Sequence, residues 1–253
     1  MGLLMLGGDL VVFIGLGFAA QLIDGALGMA YGLIATSALL ASGAPPAIAS
    51  ASVHAAEVVT TGLAGASHMW HRNVDWRLLR RLALAGVLGG VLGAYVLTEL
   101  PEKPVKAFVA VYLFGMALLI VHRLINGRAA EGRVIGPVPL GVAGGFLDAI
   151  GGGGWGPTVN STLIAQGESP RHSIGTVSVA EFFVTGAVSA TFILTLDFSS
   201  YGRVVLGLII GGAVAAPFAG WFSRVLPQRV LMALVAVVVA GLALYNIVRL
   251  GQA

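Results

Sequence analysis

The chain has 253 residues, 57% of them hydrophobic, and only 10% are Asp, Glu, Lys or Arg. Soluble domains run at about 25% charged, so a water-facing surface is excluded and an all-α polytopic membrane protein covered by lipid is predicted. The net charge of +3 is spread over loops, without the basic stripe a nucleic-acid partner needs, and the absence of cysteine excludes disulfides, thiol chemistry and cysteine-ligated metals.

The first apolar run, LVVFIGLGFAAQLI, has no basic flank before it and no cleavage pattern after it, and is read as part of the mature protein. It opens a long apolar segment over about 10–41 that carries one acid, Asp24, and dense glycine. Residues 44–71 follow, with Glu57 inside them. Charge-free stretches at 82–98 and 107–122 each suit one spanning helix. The polar stretch RLINGRAAEGR at 123–133 divides the chain. Beyond it the order recurs: a glycine-rich segment over about 134–166 with Asp148, an apolar segment 174–196 with Glu181, then charge-free stretches at 204–223 and 230–248.

The recurrence has one register. Asp24 and Asp148, Glu57 and Glu181, Pro46 and Pro170, Gly28 and Gly152, Gly32 and Gly156, and Gly62 and Gly186 all stand 124 positions apart, and Tyr31 matches Trp155. A shared offset at so many polar and glycine positions indicates duplication, which is common in secondary transporters. The predicted organisation is a first membrane repeat at 1–122, a cytoplasmic linker at 123–135 and a second membrane repeat at 136–253.

Orientation follows Lys and Arg. Four arginines in 72–81, three in 123–133 and two in 224–229 place these segments in the cytoplasm, and the second half is then inverted relative to the first. An inverted repeat needs an odd number of crossings per half: three full spans plus a glycine-rich broken segment that enters and returns on one side. The opposing arrangement makes each glycine-rich segment a full span and gives eight spans with parallel halves.

Ionisable groups at membrane depth face a cavity or a partner. Glu57 and Glu181 are read as acids that handle solute or protons, against a purely packing role bonded to serines or backbone. Asp24 and Asp148 precede glycine-rich breaks, where a carboxylate caps free N–H groups, and capping is compatible with a second role. The four glycines Gly151 to Gly154 break any helix, and a broken backbone at membrane depth lines a cavity or is buried in protein. Free N–H groups at the start of the next half-helix suit an anion. The substrate-binding candidates are therefore Gly28, Tyr31, Ser52, His54, Gly152, Gly153, Gly154, Trp155, Asn160, Thr176 and Ser178. Tight helix packing is the competing role for the glycines. The proton-coupling or structural acids are Asp24, Glu57, Asp148 and Glu181. No metal-ligand spacing and no nucleophile–base pair is legible, so no metal site, catalytic residue, cofactor or enzymatic activity is expected.

The stretches GFAAQLIDGALGMAYG at 17–32, ASASVHAAE at 49–57, GLAGASHMWHRNVDW at 62–76, GGFLDAIGGGGWGP at 144–157 and TVSVAEFFVTG at 176–186 together resemble the TauE/SafE family of sulfite and sulfonate exporter-like permeases, over essentially the whole chain. The resemblance implies a multi-pass permease of the bacterial inner (cytoplasmic) membrane that exports or takes up small sulfur-containing anions. The second half departs from the first at Ser178 in place of His54 and at Phe192 in place of His68. The expected function is secondary transport of a small anion across the bilayer, with proton coupling through Glu57 or Glu181. A cation or metal transporter and a non-transport assembly protein are the alternatives, and homo-oligomerisation is left open.

Overall fold

The computed structural model describes residues 10–126, 135–196, 201–225 and 227–251. They form helices without any strand among the described residues. The first half consists of α1 (Leu10–Leu27), α2 (Tyr31–Ala41), α3 (Pro46–Trp70), α4 (Trp76–Glu99) and α5 (Glu102–Asn126). The second consists of α6 (Pro137–Gly151), a π-helical turn (Gly156–Asn160) running into α7 (Ser161–Ala165), then α8 (Pro170–Thr195), α9 (Gly202–Val225) and α10 (Gln228–Leu250). Residues 123–126, expected in the linker, continue α5, and 127–134 lie outside the described residues.

Local chemistry sets the boundaries. Proline starts α3, α6 and α8 at a first-turn position, where its missing N–H costs nothing. Asp75 caps α4 by accepting from the N–H groups of Arg77 and Leu78 at 2.8 and 3.0 Å. Gly152, at φ 64°, ends α6 in the left-handed conformation that glycine adopts without strain. Among the described residues, six helices are long and apolar enough to cross a membrane: α1, α3, α4, α5, α8 and α10 from Arg229 onward. Large apolar side chains such as Leu84, Leu194 and Val237 point outward, as a lipid-covered surface requires.

The helices follow the internal repeat, α1 to α5 falling in order on α6 to α10 with both breaks in matching places. Packing between halves relies on small residues that let backbones touch. Gly89 meets Val142, Gly93 meets Phe146, and Gly145 meets Gly86 and Gly90, so α4 and α6 run parallel. Gly207 meets Leu10 and Phe13, and Gly211 meets Ile14 and Phe18, so α1 and α9 run parallel. At the centre, Gly62 lies on Phe182 and Gly65 on Val179: position rises along α3 as it falls along α8, and these two helices cross antiparallel.

Candidate functional site

Each half supplies one helix broken by glycine and one acid just before the break. In the first half, Gly28 at φ 68° ends α1 and Ala30 at φ 157° carries the chain into α2. Asp24 Oδ1 accepts from the Tyr31 N–H at 3.2 Å, capping α2. In the second half, Gly152 and Gly153 turn the chain, and Asp148 Oδ1 accepts from the N–H groups of Gly154 and Trp155 at 2.6 and 2.9 Å. The two breaks touch: a Cβ on Gly32 would strike Gly153 Cα and Gly152 O, and a Cβ on Gly153 would strike the backbone of Gly32 and Leu33. The Thr36 hydroxyl donates to Gly152 O at 2.6 Å and adds a second tie between them.

A narrow pocket lies at this junction. All four intramembrane acids line it: Asp24, Glu57, Asp148 and Glu181. The first-half wall is Met29, Ala30, Tyr31, Gly32 and Leu33, and the second-half wall is Gly153, Gly154, Trp155, Gly156 and Pro157. No lysine or arginine lines it among the described residues. Glu57 is buried, and its Oε2 has no hydrogen-bond partner among the described residues. Glu181 is half-buried.

Of the candidates named from sequence, Tyr31, Gly153, Gly154 and Trp155 join the four acids in the pocket wall. Both aromatic rings are anchored from behind. The Tyr31 hydroxyl donates to Leu208 O at 3.1 Å, and Trp155 Nε1 donates to Val177 O at 3.2 Å. Gly28 and Gly152 shape the breaks without lining the pocket. The remaining polar candidates stand apart from it. Ser52 lines a separate crevice with Ser42, Ile48 and Tyr201. Asn160 Oδ1 accepts from the Ser173 hydroxyl at 2.8 Å, and the Thr176 hydroxyl accepts from the Asp75 N–H at 2.9 Å. Ser178 is half-buried outside the pocket. His54 is fully buried behind the pocket, with Nε2 at 3.2 Å from Asp148 Oδ2.

Two residues near the site carried no signal in the sequence. Tyr112 of α5 lies against Gly151 and Gly154, which leave room for its ring. Half-buried Arg123 donates from Nη1 to Pro157 O at 2.9 Å, reaching the π-helical turn. Among the described residues, no group of three or more His, Cys, Asp or Glu has metal-holding geometry.

The description "Sulfite exporter TauE/SafE" matches residues 13–246, nearly the whole chain. The chain belongs to the TauE/SafE family. A probable membrane transporter protein of Bacillus subtilis strain 168, YtnM, is 41% identical over 224 residues, covering 85% of this chain and 75% of that protein. No solved structure matches the chain. With its set of membrane-length helices, this TauE/SafE member is a multi-pass membrane transporter.

Proposed function

We propose that this TauE/SafE member is a secondary transporter of a small anion, sulfite or an organosulfonate, that moves together with protons. The observation that carries the reading is the meeting of four carboxyls, two from each half, in one pocket between two broken helices. An anion cannot enter beside several carboxylates. It can enter when they are carboxylic acids, because their O–H groups then donate to its oxygens, and neutralisation and binding become one event. Protons loaded with the anion leave with it, so the two travel in the same direction. The capped helix starts at Tyr31 and Trp155 add the favourable end of a helix dipole on each wall.

The halves are inverted in this reading, and each glycine-rich segment is re-entrant. Support comes from the antiparallel crossing of α3 and α8 and the parallel pairs α1 with α9 and α4 with α6. These directions bring the segments around Arg72–Arg81, Arg123, Arg171 and Arg224–Arg229 to one side, with eight of the twelve Lys and Arg among the described residues. Lys103, Lys106, Arg203 and Arg249 fall on the other. An excess of that size marks the cytoplasmic face.

Four acids, with no basic side chain among the described residues of the pocket wall, also favour a second reading, transport of a small cation. Flux through the purified full chain in liposomes separates the two. Sulfite, an organosulfonate and a divalent-cation panel are offered in turn. The anion reading expects flux of sulfite or the sulfonate; cation flux with neither anion moving overturns it.

A further inference from the structure

The two halves differ behind the pocket, and the difference fixes a proton. His54 of α3 is fully buried, and its Nδ1 stands 2.8 Å from the Ser50 backbone carbonyl. A carbonyl only accepts, so Nδ1 carries a hydrogen. The nearby Ser50 hydroxyl donates to Ala149 O, which leaves the imidazole's assignment to the carbonyl intact. The other ring nitrogen, Nε2, faces Asp148 Oδ2 at 3.2 Å, while Asp148 Oδ1 is occupied by two N–H donors. With Nδ1 already protonated, a neutral imidazole beside an ionised Asp148 would set two lone pairs against each other in a site without water access. One proton between Nε2 and Oδ2 removes that clash, as imidazolium with carboxylate or as imidazole with carboxylic acid.

We propose that His54 and Asp148 retain one permanent proton between them, so that the pair is neutral and the exchangeable protons of the pocket belong to Asp24, Glu57 and Glu181. His54 acts here as a positioning residue, working through Asp148. The pair joins α3 of one half to α6 of the other and keeps Asp148 oriented toward the N–H groups of Gly154 and Trp155. The position matching His54 in the second half is Ser178, which has no imidazole to share a proton with Asp24. The duplicated halves therefore hold one fixed acid and one exchangeable acid at equivalent places. The other titratable groups around the pair are Glu57 on its own helix, Asp24 from α1, Tyr31 from α2, Tyr112 from α5 and Glu181 from α8. From α8, Phe192 also packs near the imidazole, with ring centroids 6.3 Å apart, and it cannot titrate.

The assignment of exchangeable protons rests on the proton-coupled reading above, whereas the shared proton itself does not, and the experiment separates them. Full-length protein labelled with ¹⁵N-histidine is placed in lipid bilayers without solute, and imidazole spectra are followed from about pH 5 to 8, where an ordinary histidine titrates. The signal lost in His54→Gln is that of His54. A His54 signal unchanged across the range is expected. A His54 signal that shifts across the range overturns the proposal, whatever the protein transports. In transport assays, His54→Gln leaves Asp148 an uncompensated carboxylate, and the pH giving half-maximal anion flux is expected to move lower. Flux reduced at every pH with an unmoved midpoint overturns the assignment of exchangeable protons while leaving the spectroscopic result standing.

Discussion

Gly32 and Gly153 touch backbone to backbone, one from the broken helix of each half, and the pocket opens where they meet. The contact makes these glycines both packing residues and site residues. A methyl group at either position overlaps the opposing main chain, which cannot swing away as a side chain would.

Gly32→Ala and Gly153→Ala are therefore expected to lower the melting temperature and weaken solute binding together, with a stability loss of about 1–3 kcal/mol as for other overpacked sites. Gly115, which has open space around it, supplies the control: Gly115→Ala should melt at or slightly above the native temperature. Thermal melts in detergent, paired with binding curves on the same samples, make the comparison.

Ala30 occupies a position at φ 157° and ψ −9°, a conformation that costs a residue with a Cβ roughly 1–3 kcal/mol. Ala30→Gly should relieve part of that and raise the melting temperature. A fall would mean that the alanine methyl contributes more through burial than the backbone loses.

Asp75 lies outside the membrane-spanning helices and is exposed. The N–H of Leu78 foremost, then that of Arg77 and the Arg77 guanidinium, hold its carboxyl below the ordinary 3.8. A depressed acid contributes stability that is present above its unfolded value and lost as pH falls through the folded value. Asp75→Ala should thus cost about 1 kcal/mol near neutrality, and the difference from the native chain should shrink progressively as pH falls below about 4. Melts of both proteins across a pH series test this.

The absence of cysteine makes orientation directly measurable. Single cysteines at Arg77 and at Lys103 should react with a membrane-impermeant thiol reagent from opposite faces, and one at Arg171 should share the face of Arg77. Labelling of Arg77 and Arg171 positions from opposite faces would contradict the inverted halves.

The breaks were legible in the sequence because their causes are local: four successive glycines cannot continue a helix, and an aspartate placed a few residues before them meets the freed N–H groups. The duplication was legible because one offset recurred. Convergence of Asp24, Glu57, Asp148 and Glu181 was not, since each lies on a different helix and only the crossing of α3 with α8 and the contact of the two breaks bring them together. Ser52, Asn160 and Thr176 show the same limit. Their hydroxyl and amide chemistry suits a solute, but helix rotation turns Asn160 toward Ser173 and Thr176 toward Asp75. Tyr112 and Arg123 reach the broken segment from α5, a contact that no spacing in the chain encodes.

Glu57→Gln and Glu181→Gln keep shape and hydrogen-bonding capacity while removing titration. Each should leave folded protein in the membrane and reduce anion flux by about tenfold or more, the scale at which losing one positioned proton-transfer group is felt. Wild-type rates in both single variants across a pH series would remove these acids from the coupling.

If anion and proton share the pocket, a gradient of the solute must drive protons across the membrane with it. Liposomes holding the purified chain and a trapped pH indicator are given an inward gradient of sulfite or a sulfonate at equal pH on both sides, with protein-free liposomes correcting for passive entry of the protonated solute. Sharing of the pocket predicts that the interior acidifies as the anion enters, and that Glu57→Gln and Glu181→Gln diminish the acidification. Anion entry through the protein at an unchanged interior pH would contradict it.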